Sequence, residues 1–456
     1  MIDWLLARMR QRWDAPAVGM PTVTVTYAGL LARCEAWRRR LESAGVGVGT
    51  VTSLEGEYGP ESIAVFLALV ARGAIIVPLS SDSQRQADAL LDTGEVEVRV
   101  SAADGSIQPQ ERRAVHPHYE ELRRRQHPGL VLFSSGSTGK HKGAVHDLVQ
   151  LLKKFETPRH AYRTLVFLQM DHIGGINTLL YTLSNGGMVV VAAERSPAAV
   201  CTAIARHRVE LLPTSPTFLN LLLLSGEQER HDLASLRLVT YGTEPMPEST
   251  LSRLAEALPN VQLLQTYGST ELGILRSKSR TRDSLWVRVG GEGYETKVVD
   301  GRLWIRAECA MLGYLNAPSP FDAEGFLDTG DLVIVDGEWI RILGRESEVI
   351  NVGGSKVHPA EVESVLLGLE NVADVSVRGE RHPLVGQIVT ASILLQSPES
   401  PADFRVRMRQ YCSTRLPAYK VPARVVIADG PLHSSRYKRM RRAVQPGAEQ
   451  SEQGAA

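Results

Sequence analysis

The sequence has few cysteines, no net charge, no long apolar run and no internal repeat, and each lack removes a class of protein. Its four cysteines (Cys34, Cys201, Cys309 and Cys412) are scattered over 456 residues. They include no CxxC pair, so neither a disulfide framework nor a zinc site is indicated, and they read as free buried thiols in a reducing compartment. The 51 basic and 51 acidic residues cancel. No strong field therefore draws the chain to nucleic acid or anionic lipid. No uninterrupted apolar stretch is long enough to span a bilayer. Met1-Ile2-Asp3-Trp4-Leu5-Leu6 gives way to charge within a few residues, unlike the apolar core of a secretory signal. The expectation is a cytoplasmic protein without a membrane span or a nucleic-acid partner.

What is present suits a large folded interior. Hydrophobic residues make up 43% of the chain, and 456 residues exceed what one ordinary core organises, so at least two domains are expected. Helix and strand alternate early. An amphipathic helix is expected from Tyr27 to about Gly45, a strand at Val51–Leu54, a helix at Glu61–Arg72 and a buried strand at Ala74–Leu79. Strand signals recur at Thr164–Leu168, Gly187–Ala192 and Leu236–Tyr241, each beside a helical segment. Such alternation favours parallel sheets covered on both faces. Residues 285–343 differ: Val287–Val299, Arg302–Arg306, Leu332–Val335 and Glu338–Ile342 read as short strands, with Asp336-Gly337 as a hairpin turn. From Glu361 helix and strand alternate again, and the tail after Val444 is polar and small-residue-rich, which predicts disorder.

The strongest local signal is Leu132-Phe133-Ser134-Ser135-Gly136-Ser137-Thr138-Gly139-Lys140-His141-Lys142-Gly143. Glycines let backbone N–H groups approach phosphate oxygens, the hydroxyls add donors and a lysine adds charge. It is not a Walker loop, because His141 follows Lys140 where Ser or Thr should stand. On its own it reads equally well as a flexible surface loop. Gln265-Thr266-Tyr267-Gly268-Ser269-Thr270-Glu271 sets a ring face, hydroxyls and a hard oxygen ligand side by side, as an adenine base, a phosphate and a hard cation require. Its plainer reading is a strand entering a tight turn with Glu271 capping a helix. Gly325-Phe326-Leu327-Asp328-Thr329-Gly330-Asp331 ends in a carboxylate able to accept two hydrogen bonds from a cis diol.

Taken in order with Gly344-Arg345-Glu346-Ser347-Glu348 and the segment Leu416–Lys438, these runs resemble the signatures of the adenylate-forming superfamily: acyl- and aryl-CoA synthetases, peptide-synthetase adenylation domains and luciferases. The resemblance covers nearly the whole chain. It implies an α/β fold with a large N-terminal domain (1–344) of two parallel-type sheets and a small β-barrel near 285–343. A smaller mobile C-terminal α+β domain (345–444) and a disordered tail (445–456) would follow. It further implies ATP and Mg2+ as ligands, with ATP bound where the domains meet. Ser134, Ser135, Gly136, Ser137, Thr138, Gly139 and Lys142 would hold phosphates. Tyr267, Gly268 and Ser269 would lie at the adenine, Thr270 at the α-phosphate, and Glu271 would hold the metal. Asp331 would contact the ribose and Arg345 the ribose or phosphate, and Lys438 would be the lysine that drives catalysis from the C-terminal domain.

Met170-Asp171-His172-Ile173-Gly174-Gly175 falls where family members line the acid pocket, so His172 is a candidate there, its glycines leaving room for a ligand; a structural histidine is the other reading. Asp171 is one position early for an amine-binding carboxylate, and no amino-acid substrate is read from it. Tyr241-Gly242-Thr243-Glu244-Pro245 matches the glycine-rich strand end between acid and adenine. Glu244, unusual there, either holds a positive or hydrogen-bonding group or points to solvent. The sequence departs from the family at His141 before the loop lysine, at Ser347 in the hinge, at Asn351, and at Tyr437, which replaces the glycine before the lysine. A solvated basic edge is the alternative for Tyr437–Arg442.

The resemblance implies activation of a small acid as its AMP anhydride with release of pyrophosphate. Rotation about the hinge and transfer to a thiol, coenzyme A first, would follow. The alternatives are loading of a carrier protein, diazotase chemistry on nitrite and an aryl amine, and a silent nucleotide-binding homologue.

Overall fold

The computed structural model describes residues 2–135 and 141–441. Contacts divide the chain into two compact units, Met1–Leu343 and Gly344–Ala456. Among the described residues no helix is long and apolar enough to cross a membrane, and all four cysteines are free and buried.

In the first unit the early alternation forms as the sequence indicates. The Thr26 hydroxyl accepts from the Gly29 N–H and starts the helix Tyr27–Ser43 by satisfying one of its orphan donors. That helix buries Leu30, Cys34, Trp37 and Leu41, a single stripe at three- and four-residue spacing. The helix Pro60–Ala71 is buried from Ser62 to Val70. It connects the strands Val51–Glu55 and Ile75–Leu79, which pair in parallel with Val51 beside Ile75. The connection suits a parallel pair, which needs a crossover rather than a turn.

These strands belong to a seven-stranded sheet ordered Gly313–Tyr314, His141–Asp147, Gly129–Ser135, Ile75–Leu79, Val51–Glu55, Val98–Ser101 and Ile107–Pro109. A second seven-stranded sheet runs Gln262–Gln265, Leu238–Tyr241, Leu211–Thr214, Arg163–Leu165, Met188–Val190, Pro16–Gly19 and Thr24–Thr26. Both sheets are parallel at their centres, and every edge except Gln262–Gln265 is antiparallel. Gly129–Ser135 returns as His141–Asp147 in an antiparallel hairpin, because the short glycine-rich run between them cannot form a crossover. The glycine-rich loop thus joins two strands instead of opening a helix.

A third sheet, six-stranded and antiparallel, curls into a half-barrel. Its order is Arg276–Ser279, Trp286–Gly290, Trp339–Arg345, Leu327–Asp336, Arg302–Ala307 and Tyr294–Val299. The run expected as one strand, Val287–Val299, is broken in two. Gly290, Gly291 and Gly293 take φ of +121°, +106° and +79°, backbone that only glycine enters freely and that turns the chain. The strand expected at Leu332–Val335 begins earlier, at Leu327, so Asp331 lies inside a strand and not in a loop before it.

The second unit has its own core. A sheet ordered Ser355–Val357, Ile350–Val352, Gly386–Leu395 and Val372–His382 gains a fifth strand, Arg424–Ile427, parallel to Gly386–Leu395. The helices Pro359–Leu367 and Pro401–Ser413 pack on it, burying Val362, Leu366, Phe404 and Met408 with Val375, Val377 and Ile393. Residues 445–456, expected as a disordered tail, lie outside the described residues.

Candidate active site

The glycine-rich run begins and ends on paired strands. Ser134 stands opposite Lys142, and Ser135 opposite His141. Gly136, Ser137, Thr138 and Gly139, named above for phosphate binding, lie outside the described residues. The exit strand is clamped by Asn316, whose Oδ1 accepts from Gly143 N–H at 3.1 Å while its Nδ2 donates to the His141 carbonyl at 2.8 Å. Lys142 lays its Nζ over the Tyr314 ring, 5.2 Å from the centroid, close enough for a cation–π attraction.

Tyr314 connects this strand to the second run. Its hydroxyl donates to Glu271 Oε1 at 2.6 Å, orienting the carboxylate. Glu271 lies with Thr270 and Leu272 in the turn of a small hairpin, Gly268–Ser269 against Gly273–Ile274. The turn is fixed by donors to the carbonyls of Glu271, Leu272 and Ile274. Met311 N–H reaches Glu271 O at 2.8 Å. Cys309 Sγ lies 3.5 Å from Leu272 O. Lys154 Nζ and Tyr294 OH both donate to Ile274 O, at 3.0 and 3.3 Å. Burial pushes the Lys154 ammonium down to about 8. At the other end of the run, the buried Tyr267 donates its hydroxyl to Asp331 Oδ2. Asp331 is itself set by the Thr329 hydroxyl, which accepts from Asp331 N–H at 3.1 Å and donates to Leu303 O at 2.7 Å.

The structure therefore forms two groups at the ends of one run: Lys142 over Tyr314 with Tyr314 bonded to Glu271, and Tyr267 bonded to Asp331. Sequence reasoning missed Tyr314, which connects Lys142 to Glu271, and Asn316, which clamps the strand that carries Lys142. Gly313-Tyr314-Leu315-Asn316 carries no carboxylate or lysine, and its role appears only once it pairs with the exit strand. His146 was missed as well. It is fully buried on that strand, and neither ring nitrogen has a hydrogen-bond partner among the described residues. Burial pushes its pKa down to about 4, opposed more weakly by the Thr270 backbone and the Glu271 charge, so the ring is neutral at pH 7.

At the ends of the second sheet, Gly242 is required by close approach. A Cβ there would lie 2.7 Å from Thr266 Oγ1 and 2.8 Å from Thr266 O. Thr243 follows at φ +73°, a strained position for a β-branched residue and of the kind that gathers at ligand sites. Glu244 does not simply point to solvent: Oε1 accepts from both the N–H and the hydroxyl of Thr217. Thr217 is in the first turn of the helix Pro216–Ser225, where a carboxylate complements the helix dipole.

His172 caps the helix Ile173–Ser184, its Nδ1 accepting from Gly174 N–H at 3.0 Å. The space that its glycines were expected to leave for a ligand is occupied by the chain itself. A Cβ at Gly175 would meet Gln169 O at 1.9 Å, and one at Gly174 would meet Leu168 Cδ1 at 2.6 Å. Asp171 is buried and accepts from the hydroxyls of Ser80 and Ser83 at 2.6 and 2.7 Å, tying down the segment after Ile75–Leu79.

Among the described residues no group of three or more His, Cys, Asp or Glu side chains could hold a metal ion. Mg2+, the ion that the resemblance implies, keeps several waters and takes one or two carboxylates beside substrate phosphates, and Glu271 is a carboxylate of the kind it would take.

In the second unit Gly344 and Arg345 end a strand, and the exposed Ser347 sits in the 3-10 turn Glu346–Glu348. Lys438 is exposed at the end of a tight turn. Ser434 N–H donates to Lys438 O, and Tyr437 N–H donates to Ser434 O, both at 2.9 Å. Two of the residues after it, Arg439 and Arg441, are not part of a solvated basic edge, and Arg442 lies outside the described residues. Arg439 donates to Glu363 Oε2 at 2.9 Å and to Asp374 Oδ1 at 3.3 Å, with side-chain exposures of 6%, 1% and 2%. Arg441 makes two bonds to Glu363 and pairs with Glu348. Tyr437 takes φ +53°, which explains how it fills a glycine's place, at a cost of roughly 1–2 kcal/mol for a residue with a Cβ.

The AMP-binding enzyme family matches residues 5–315, and the AMP-binding enzyme C-terminal domain matches residues 361–436. With the fold and the linked signatures above, this places the chain in the AMP-binding enzyme family of adenylate-forming ligases. Its relatives include an indoleacetate–CoA ligase of Aromatoleum aromaticum, 27% identical over 477 residues and 91% of each chain. Another is a 2-succinylbenzoate–CoA ligase of Bacillus subtilis, 26% identical over 94% of each. Among solved structures, the anthranilate CoA ligase AuaEII in complex with anthranoyl-AMP has the same fold, with a TM-score of 0.81. Identity there is 22%, covering 96% of this chain and 95% of that one.

Proposed function

We propose that the chain activates a carboxylic acid with ATP as an acyl adenylate and passes the acyl group to the thiol of coenzyme A. The observation that carries this reading is the linkage just described: Lys142 over Tyr314, Tyr314 bonded to Glu271, and Tyr267 bonded to Asp331. It pairs the group expected at phosphate with the one expected at the metal, and the group expected at adenine with the one expected at the ribose. The relatives named as CoA ligases support the thiol acceptor.

In the first half-reaction a carboxylate oxygen of the acid attacks the α-phosphorus. The bond to the bridging oxygen breaks, and its electron pair leaves with pyrophosphate. The chain's task is positioning and charge neutralisation, because the phosphorus is surrounded by negative oxygens. Thr270 would donate to the α-phosphate. Lys142, with the loop residues Ser134 and Ser135, would bind the outer phosphates. Glu271, held by Tyr314, would be the protein's ligand to Mg2+, which when bound supplies neutralising charge to the phosphates. Lys438 would add charge as the transition state forms. In the second half-reaction the thiol sulfur attacks the acyl carbonyl, AMP leaves, and the thiol proton is released. Arg345 and Asp331 are assigned to the ribose, and Gly242 and Thr243 to the strand end between adenine and acid. His172 is assigned to the acid side through the backbone it caps.

A pyrophosphate-release screen over aryl acids, fatty acids, amino acids and nitrite tests this, run with and without coenzyme A. Release with one carboxylate class, and multiple turnovers only with coenzyme A, is expected. Turnover with a pantetheine-loaded carrier protein alone would replace the acceptor. Turnover with nitrite and an aryl amine alone would replace the reading by diazotase chemistry. No release with any acid would leave a silent nucleotide binder.

The ribose assignment has its own test. Asp331→Ala should weaken ATP binding by about 1–3 kcal/mol, the scale of lost charge-assisted hydrogen bonds. It should also narrow the preference for ATP over 2′-deoxy-ATP. Tyr267→Phe, which removes the neighbour's bond to that carboxylate and keeps the carboxylate, should cost less. Calorimetric titration of both variants with both nucleotides decides it, and wild-type affinity and preference in Asp331→Ala would make that residue structural.

A further inference from the structure

We infer that Tyr437, stacked on His433, is a positioning residue that fixes the direction in which Lys438 leaves its turn. The inference rests on the reading above that Lys438 acts in the first half-reaction.

Three observations carry it. First, Tyr437 stands at φ +53°, left-handed backbone where the family resemblance puts glycine. A residue with a Cβ stays in such a conformation only where its surroundings over-determine it. Second, the surroundings are visible. The Tyr437 and His433 rings stack with centroids 5.0 Å apart and planes inclined by 15°. Third, the base of this hairpin is fixed independently of its tip. His433 and Arg439 bridge as an antiparallel pair, Met440 N–H donates to Leu432 O at 2.9 Å, and Ser376 Oγ donates to Met440 O at 2.7 Å. The buried Arg439–Glu363 pair closes the base from below. The tip has no comparable burial, because Ser435 and Lys438 are exposed and Tyr437 only half-buried.

A glycine at position 437 would reach the same turn at no steric cost but would leave the backbone before Lys438 free to sample both signs of φ. The tyrosine narrows that distribution, since ring stacking selects one conformer of the turn. The contact that carries this part is the ring stacking on His433. Holding a transition-state group in place affects rate and leaves ground-state ATP binding alone.

The test separates the half-reactions. Tyr437→Gly should lower single-turnover adenylation about tenfold with KM for ATP unchanged. Conversion of supplied acyl-AMP to thioester should stay at wild-type rate. Tyr437→Phe should adenylate normally. His433→Ala should reproduce the glycine variant, and the double variant His433→Ala with Tyr437→Gly should be no slower than either alone, since the two rings act as one unit. Glycine accepts this backbone, so loss of the fold is not expected, and thermal melting of each variant verifies it. Adenylation at wild-type rate in Tyr437→Gly would overturn the inference, as would Tyr437→Phe slowed as much as Tyr437→Gly. Lys438→Ala run in parallel distinguishes the two levels. If it adenylates normally, the underlying assignment of Lys438 fails. If it is slow while Tyr437→Gly is normal, only the positioning role fails.

Discussion

Lys438→Ala is expected to slow adenylate formation by roughly 100- to 1000-fold, the scale of losing one preorganised charge or donor from a transition state. ATP affinity should stay within about a factor of two, because charge used only at the transition state adds little to ground-state binding. Lys438 is the residue at which the tight turn of the second unit ends, and it is exposed there while the side chains of Arg439 and Arg441 are buried or nearly so. Arg439 and Arg441 thus hold the segment through Glu363, and Lys438 stands at its exposed turn. Single-turnover release of labelled pyrophosphate, with ATP binding measured separately, distinguishes the roles. A wild-type rate would show that Lys438 belongs to the surface and not to the chemistry. Equal losses of rate and ATP affinity would assign it to ground-state phosphate binding.

The α/β architecture was legible because its elements carry their own boundaries. Thr26 caps a helix, apolar strands flank it, and Asp336-Gly337 turns a hairpin, all within short windows. Of the candidate site, the sequence offers residue types whose chemistry suits the proposed ligands: hydroxyls and glycines for phosphate, Glu271 for a hard cation, Asp331 for a diol. What escaped were residues whose importance depends on distant partners. Tyr314 is 43 positions from the carboxylate it orients. Asn316 clamps a strand 173 positions earlier. Glu363 and Asp374 are ordinary acidic residues until Arg439 and Arg441 arrive from 76 and 78 positions away. The glycines beside His172 were misread for a related reason. Small residues leave space in a sequence, yet here the space is filled by the carbonyl of Gln169.

Glu363→Gln should destabilise the second unit by about 3–5 kcal/mol at pH 7, the scale of breaking a buried ion pair by removing one partner. Glu363 is 1% exposed and accepts from Arg439, from Arg441 and from the Val377 N–H at 3.0 Å. Glutamine preserves shape and one acceptor but leaves two guanidiniums short of a counter-charge. Arg439 would lose the charge of its shorter partner and keep the longer bond to Asp374. The effect should depend on pH in a definite direction. Burial pushes the Glu363 carboxyl up, but the Arg439 and Arg441 charges and the hydrogen bonds overcome it and hold the group at about 2, against an ordinary 4.5. A depressed carboxyl stabilises the fold above its unfolded-chain value and loses that contribution as pH falls towards its folded value. The difference is worth about 3 kcal/mol. Asp374, raised chiefly by burial, works with the opposite sign and is more favourable in acid. The stability gap between wild type and Glu363→Gln should therefore be largest near pH 7, begin to close below about pH 4.5 and be mostly gone near pH 2. Urea unfolding of both proteins at pH 7, 5, 4 and 3 measures that gap. A gap under about 1 kcal/mol at pH 7 would place the pair among weak surface contacts. A gap as wide at pH 3 as at pH 7 would mean that Glu363 matters through packing and not through its charge.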